Sequence, residues 1–390
     1  MAANKARLGL FSIFASTFCE LVGFFMLLPL LLLRLKSADV STAVAGLFAA
    51  TGWVGIFLFT PFSSWVTRKL GRRQTLLLAA GVPAFAALGF AVTDSLAVWF
   101  LLELLAGAAS GLRWVLAEAA VAEFSPEGKR GRTIGIFETM VGTTFVVGPA
   151  VLVWVGPEQP AALWSAIGCM MLGFAWSLLI PPIPDAADAH RSKVGWRGVW
   201  QALVKHPIIM MAGFVGGFFE SGITSILPLY GLALGLGASA ATLLVSSSGL
   251  GSALMMLPVG VLSDRGHNPA STRRTLMITL AFVTLLATCI LPFVAHIRWL
   301  AWPVAFFWGG AGGSLYTLAM IDIGSREQGI TLVNSTAVLV LTYTLGSMTA
   351  SASSGALLQW SPTLGFPMLL AAVALVGWIA LLRTRHREDI

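Results

Sequence analysis

Two stretches, ELVGFFMLLPLL at residues 20–31 and ESGITSILPLYG at residues 220–231, decide how this chain is read. Each opens on a glutamate set in an otherwise apolar run and reaches a proline eight or nine residues later, Pro29 in one and Pro228 in the other. A charge at bilayer depth costs several kcal/mol, so a carboxyl there is by default a functional group with a partner to be found. The echo continues outward. PFSSWVTRKLGRRQTLL from Pro61 answers PVGVLSDRGHNPASTRRTLM from Pro258, and GAASGLRWVLAEA in 107–119 answers GAGGSLYTLAMID in 310–322, placing Arg113 opposite Tyr316. The offsets are 199, 197 and 203 residues, as expected of a duplicated half with small insertions or deletions. Such repeats place a substrate site near the membrane midplane.

Composition says what solvent the halves meet. Of 390 residues 57% are hydrophobic and only 11% charged, with a mean hydropathy of +0.85, whereas a soluble domain carries roughly a quarter charged residues. About 20 apolar residues cross a bilayer as a helix. Twelve such spans are predicted, near 8–33, 41–66, 74–92, 96–120, 133–155, 161–182, 207–232, 239–262, 275–295, 299–321, 329–353 and 363–382. Bare backbone is not tolerated in lipid, so the spans are helices and the fold class is all-α and polytopic. With the N-terminus inside, 20 of the 24 Lys and Arg fall on cytoplasmic segments and three on outer loops. That bias predicts both termini in the cytoplasm. It also accounts for the pI near 9.8 without any nucleic-acid partner. The first apolar run is too long for a signal-peptide core and reads as a retained span. Cys19, Cys169 and Cys289 lie in apolar segments at no ligand spacing, so neither disulfide nor metal site is implied. No phosphate-binding loop or nucleophile elbow is present, and neither an enzyme nor a cofactor is expected.

The domain organisation follows: residues 1–182 as an N-terminal six-helix bundle, 183–206 as a cytoplasmic linker and 207–390 as a C-terminal six-helix bundle. In the linker Trp196, Val199, Trp200 and Leu203 recur at helical spacing beside Arg197 and Lys205, the pattern of a helix lying on the membrane surface.

The loop motifs carry a resemblance. Gly260-Val-Leu-Ser-Asp264-Arg265-Gly266 resembles the G-x-x-x-D-R-x-G signature of the major facilitator superfamily, one spacer residue short. Lys69-Leu-Gly71-Arg72-Arg73 resembles its first-half copy, with Arg68 and Ser64 where that family has Asp and Gly. Gly135, Gly148 and Pro149 fall on positions of its antiporter motif, with Thr144 replacing a glycine. The resemblance implies two pseudo-symmetric six-helix bundles and a central chamber lined by spans one, four, seven and ten. It also implies a monomeric secondary transporter of a small-molecule substrate in the lipid bilayer, here of a bacterial inner membrane. In the loops, a glycine turn and Asp264 at a helix end can latch one of two states.

Inside the membrane, Ser12, Ser16, Glu20 and Gly23 form a polar stripe on one helix face, and Gly216, Glu220 and Thr224 form another. Glu20 and Glu220 are the expected proton-coupling acids, because a carboxyl in low dielectric can take a proton on one side and release it on the other. Arg113 needs an acceptor, and Glu20, Glu138 or an anionic substrate are all open. Glu118 reads as a gating partner for Lys129 or Arg130. Tyr316, Trp308 and Trp114 are candidate aromatic walls for a ligand, with Glu103 and Asn334 as further ligand contacts. The leading expectation is proton-coupled export of an amphipathic or cationic compound. Proton-coupled uptake of an anionic metabolite on Arg113 is the second, and a non-transporting membrane sensor or scaffold the third.

Overall fold

In a computed structural model the chain is described except at residues 1, 41, 127, 157–158, 183–194, 223–226, 228–229, 232–233, 237, 267, 295–296, 362–363 and 384–390; some helical side chains, Pro29 and Pro149 among them, are also not described. Much of the linker, and Thr224 of the second polar stripe, therefore lie outside the described residues.

The regular secondary structure of the described residues is all helical. The helices are α1 (Ala2–Ser37), α2 (Thr42–Phe59), α3 (Ser63–Leu70), α4 (Arg72–Val92), α5 (Leu96–Phe124), α6 (Arg130–Val155) and α7 (Pro160–Ser177). They continue with α8 (Trp196–Lys205), α9 (Pro207–Gly217), α10 (Ala238–Asp264), α11 (Pro269–Cys289), α12 (Ala301–Arg326), α13 (Gly329–Trp360) and α14 (Gly365–Arg383). Ten helices among the described residues are long and apolar enough to cross a membrane. Two expected spans are interrupted. The second is divided between α2 and α3 by a 3-10 turn at Thr60–Phe62, where Pro61 has no N–H to continue the ladder. The seventh leaves α9 through a single π turn, Phe218–Gly222, and a 98° bend separates it from the preceding helix α8.

The chain forms two compact units. One comprises residues 1–125, 143–202 and 327–337; the other comprises 126–142, 203–326 and 338–390. Helices α6 and α13 are thus each divided between the units. Within units, glycines set the helix spacing. In lipid no hydrophobic drive favours helix on helix, so close backbone approach through small residues does much of the packing. A Cβ on Gly135 would sit 3.0 Å from Met256 O on α10, and one on Gly148 would sit 2.6 Å from Phe25 Cβ on α1. Gly71, with φ at +82°, makes the turn between α3 and α4 that few other residues tolerate.

Candidate functional site

The two repeat-related acids stand in different chemical surroundings. In the first unit Arg113 on α5 forms an ion pair through Nε with Glu20 on α1. Arg113 Nη2 donates to Ser16 Oγ at 2.7 Å and reaches Thr17 Oγ1 at 3.4 Å, while Ser16 Oγ donates to Gly173 O on α7 at 2.6 Å. Glu20 is 5% exposed and Arg113 4%. Arg113 Nη1 has no hydrogen-bond partner among the described residues. The polar stripe on α1 thus faces α5 and α7. Of the three acceptors open from the sequence, Glu20 takes the guanidinium. Glu138 is buried on α6 and belongs to the other unit.

In the second unit Glu220 sits in the π turn, a geometry that recurs at functional sites because it re-aims side chains within a helix. It is partly buried. Ser252 Oγ on α10 donates to its Oε1, and Tyr343 OH on α13 donates to its Oε2 at 3.0 Å. No ion pair to Glu220 is found among the described residues. Glycines on α12 make the room: a Cβ on Gly313 would lie 2.7 Å from both Glu220 Oε1 and Ser252 Oγ, and one on Gly312 would lie 2.9 Å from the Glu220 backbone nitrogen. Tyr316 packs edge-on against Tyr343, with ring centroids 4.9 Å apart.

The hydroxyl shell differs from the guanidinium in kind. Arginine is donor-only and always charged, so it favours the ionised carboxylate over the neutral acid. Hydroxyls donate or accept, so Ser252 and Tyr343 can serve Glu220 with or without its proton. Ser252 Oγ also has Met256 Sδ within 3.9 Å as an alternative acceptor, which lets its hydrogen turn away when Glu220 becomes the donor.

Other expected site residues are placed as follows. Trp308 is buried, its Nε1 donates to Thr288 Oγ1 at 3.1 Å, and the Phe219 ring centroid lies 6.3 Å from its own. Trp114 Nε1 donates to Glu118 Oε1 one turn on. Asn334 is buried on α13, and Glu103 is buried on α5 against Gly52 of α2.

The loop acids make helix caps. Asp264 accepts from the backbone N–H of Gly131 at 2.9 Å and of Arg132 at 2.8 Å, where the first turn of α6 presents its unpaired donors. Gly260 permits this approach, since a Cβ there would lie 2.3 Å from Gly131 O, while Arg265 is exposed. In the other unit the corresponding carboxylate comes from a different element. Glu123, at the end of α5, accepts from Gly329 N–H at the start of α13 at 2.9 Å and pairs with Arg72. Sequence reasoning missed Glu123, Ser252 and Tyr343. The absent acid at position 68 was the available hint for Glu123, and the rarity of tyrosine, three in the whole chain, was the hint for Tyr343.

The Major Facilitator Superfamily sequence pattern matches residues 13–332. The chain belongs to this superfamily. The transporter is similar to the MFS-type transporter YfkF of Bacillus subtilis (strain 168), 26% identical over 365 residues that cover 91% of this chain and 90% of the relative. It is also 23% identical to the MFS-type transporter YcaD of Salmonella typhi, over 90% of this chain and 89% of the relative. Among solved structures it is similar to the human organic anion transporter MFSD10 (TETRAN), with a TM-score of 0.80, 15% identity and coverage of 96% of this chain and 99% of that one. The fucose:proton symporter FucP of E. coli matches with a TM-score of 0.72 at 16% identity, over 95% of this chain and 98% of that one. At these identities the structures speak to the fold, which is that of membrane transporters.

Proposed function

We propose that the protein is a proton-coupled secondary transporter working by alternating access, exporting a small amphipathic cation, with Glu220 as the acid that couples proton movement to the cycle. One observation carries this reading: Glu220 is held by two hydroxyls that serve either protonation state, while Glu20 is held by Arg113. Of the two acids expected to share the task, Glu20 is the poorer carrier, since protonating it would leave a buried guanidinium without its counter-charge. Tyr343 and Ser252 position Glu220, and Tyr316 braces Tyr343. With Glu20 and Arg113 cancelling, Glu220 has no cationic partner among the described residues, which favours a cationic solute over an anionic one. Asp264, Arg265, Gly260, Gly71, Arg72 and Glu123 belong to the caps and turns that set which helix arrangement is preferred, Gly148, Pro149 and Glu138 to α6, which Asp264 caps, and Glu118 to α5, which carries Glu123. The lysine and arginine distribution supports both termini inside, and the bacterial relatives support a bacterial cytoplasmic membrane. The repeat supports bundles at 1–182 and 207–390 joined by 183–206.

The test is accumulation of a fluorescent lipophilic monocation in proteoliposomes under an imposed pH gradient. Wild type should move it uphill; Glu220→Gln should lose uphill movement yet keep downhill exchange. Uphill movement by Glu220→Gln at the wild-type rate would remove the coupling role. The unpartnered Nη1 of Arg113 favours a second reading, uptake of an anionic metabolite. Arg113→Ala separates the two: it abolishes substrate binding by an importer of anions and spares that of an exporter of cations.

A further inference from the structure

Glu103 is used by none of the foregoing. It lies on α5, seven residues or about 10 Å of helix past Leu96, and is 5% exposed. Its carboxyl points into the seam between α5 and α2, where the two backbones touch. A Cβ on Gly52 would lie 2.6 Å from Glu103 Oε1, and one on Gly107 would lie 2.2 Å from Gly52 O. One turn toward Leu96 the seam is closed by Trp99, Phe48, Phe90 and Phe100, whose rings pack at 5.6–6.2 Å. Neither a hydrogen bond nor an ion pair to Glu103 is found among the described residues.

The facing groups leave it alone electrically. Helix α2 carries no ionisable residue. On α4 the charged side chains are Arg72 and Arg73, at the start of the helix, twenty residues from Val92. On α1, Glu20 is committed to Arg113; Lys5 and Arg7 lie in the first two turns, Arg34 and Lys36 in the last, and Cys19 beside Glu20. On α5 itself Arg113 is ten residues on, about 15 Å along the axis. An ionised carboxylate here would have nothing to compensate it, so the closed seam holds the neutral acid.

We propose that Glu103 is a second proton-binding site, independent of Glu220, whose deprotonation requires the α2–α5 seam to open. Size identifies the ligand. With the backbones in contact at Gly52 and Gly107 there is no space for an organic cation. A metal ion would need more ligands, and no three His, Cys, Asp or Glu side chains gather among the described residues. A proton needs neither room nor further ligands. Its departure leaves a charge that only entering water can solvate, which couples protonation to the parting of two helices packed through glycines.

The experiment is infrared difference spectroscopy of the full-length protein in lipid, in H2O and in D2O, as pH is swept. A carboxylic C=O that accepts no hydrogen bond absorbs at higher wavenumber than one that does. Wild type should therefore show two titrating bands, the higher from Glu103 and the lower from Glu220 with its two hydroxyls. Glu103→Gln and Glu103→Met should each lose the higher band and keep the lower; Glu220→Gln should do the opposite. A wild-type spectrum without the higher band, or a higher band that survives both Glu103 variants, overturns the proposal. Loss of the lower band alone would instead count against Glu220 and leave Glu103 standing.

Discussion

The cap built by Glu123 offers the sharpest energetic test, because a second buried charge depends on it. Arg72 is 2% exposed and Glu123 18%. The Nε and Nη2 of Arg72 have no hydrogen-bond partner among the described residues, so its pairing rests on Nη1 and Glu123. Glu123→Met takes away that counter-charge and the acceptor for Gly329 N–H together. Breaking a buried pair from one side costs about 3–5 kcal/mol, and losing a helix cap costs about 1 kcal/mol. The partial exposure of Glu123 admits water and screening, so about 3 kcal/mol is expected in total. Arg72→Met leaves Glu123 capping α13 with one edge in solvent, at a cost of about 1 kcal/mol. The double variant carries no orphaned charge, and apolar replacement of a buried pair is often nearly neutral, so it should lose only about 1.5 kcal/mol, mostly the cap. The cycle therefore predicts a coupling of about 2.5 kcal/mol between the two positions. Four proteins in matched mixed micelles, unfolded by titration with dodecyl sulfate, would measure it. Single-variant costs that add to within about 0.5 kcal/mol would refute the reasoning. Asp264 supplies the contrast. It caps two N–H groups of α6 but among the described residues no buried cation pairs with it, so Asp264→Ala should cost only about 1–2 kcal/mol. If Asp264→Ala proved more damaging than Glu123→Met, the orphaned charge on Arg72 would not be what sets the cost.

Other expectations follow from single contacts. Gly313→Ala puts a methyl group 2.7 Å from Glu220 Oε1 and Ser252 Oγ, and should lower gradient-driven flux about tenfold, or 1.4 kcal/mol of barrier; flux within a factor of two of wild type would show that the site has slack. Tyr343→Phe keeps the ring against Tyr316 but removes one donor from Glu220, so it and Ser252→Ala should displace the pH profile of flux in the same direction, and unchanged profiles in both would detach the hydroxyls from proton transfer. Ser16→Ala leaves Arg113 Nη2 only the longer bond to Thr17 Oγ1 and deprives Gly173 O of its donor, and should cost about 1–2 kcal/mol in the same unfolding titration.

The helical, duplicated membrane fold was legible because it rests on long-range averages: apolar run length, loop charge and the echo of Glu20-to-Pro29 in Glu220-to-Pro228 survive any local ambiguity. The chemistry of the acids was not, and the reason lies in the same duplication. Symmetry suggested that Glu20 and Glu220 share one role, since they occupy matching places in matching spans. Their partners come from other helices, 93 residues away for Glu20 to Arg113 and 123 for Glu220 to Tyr343, and no periodicity within a span reports on them. The divergence was nevertheless written at one aligned pair. Arg113 aligns with Tyr316 in the repeat, so one half placed a permanent cation where the other placed an aromatic hydroxyl. The first neutralises the glutamate it meets, and the second braces the tyrosine that hydrogen-bonds the other. Glu123 follows the same logic. Once Arg68 had replaced the loop acid, the donors at the start of α13 still needed an acceptor. Glu123 at the neighbouring helix end could provide it, whereas the corresponding helix end in the second unit carries Arg326, paired with Asp322. Duplication preserves backbone spacing, which glycines enforce, and leaves the polar groups free to exchange positions so long as each buried donor and charge is met. A repeat is thus a reliable guide to where helices run and a poor one to which of two equivalent acids can change its proton.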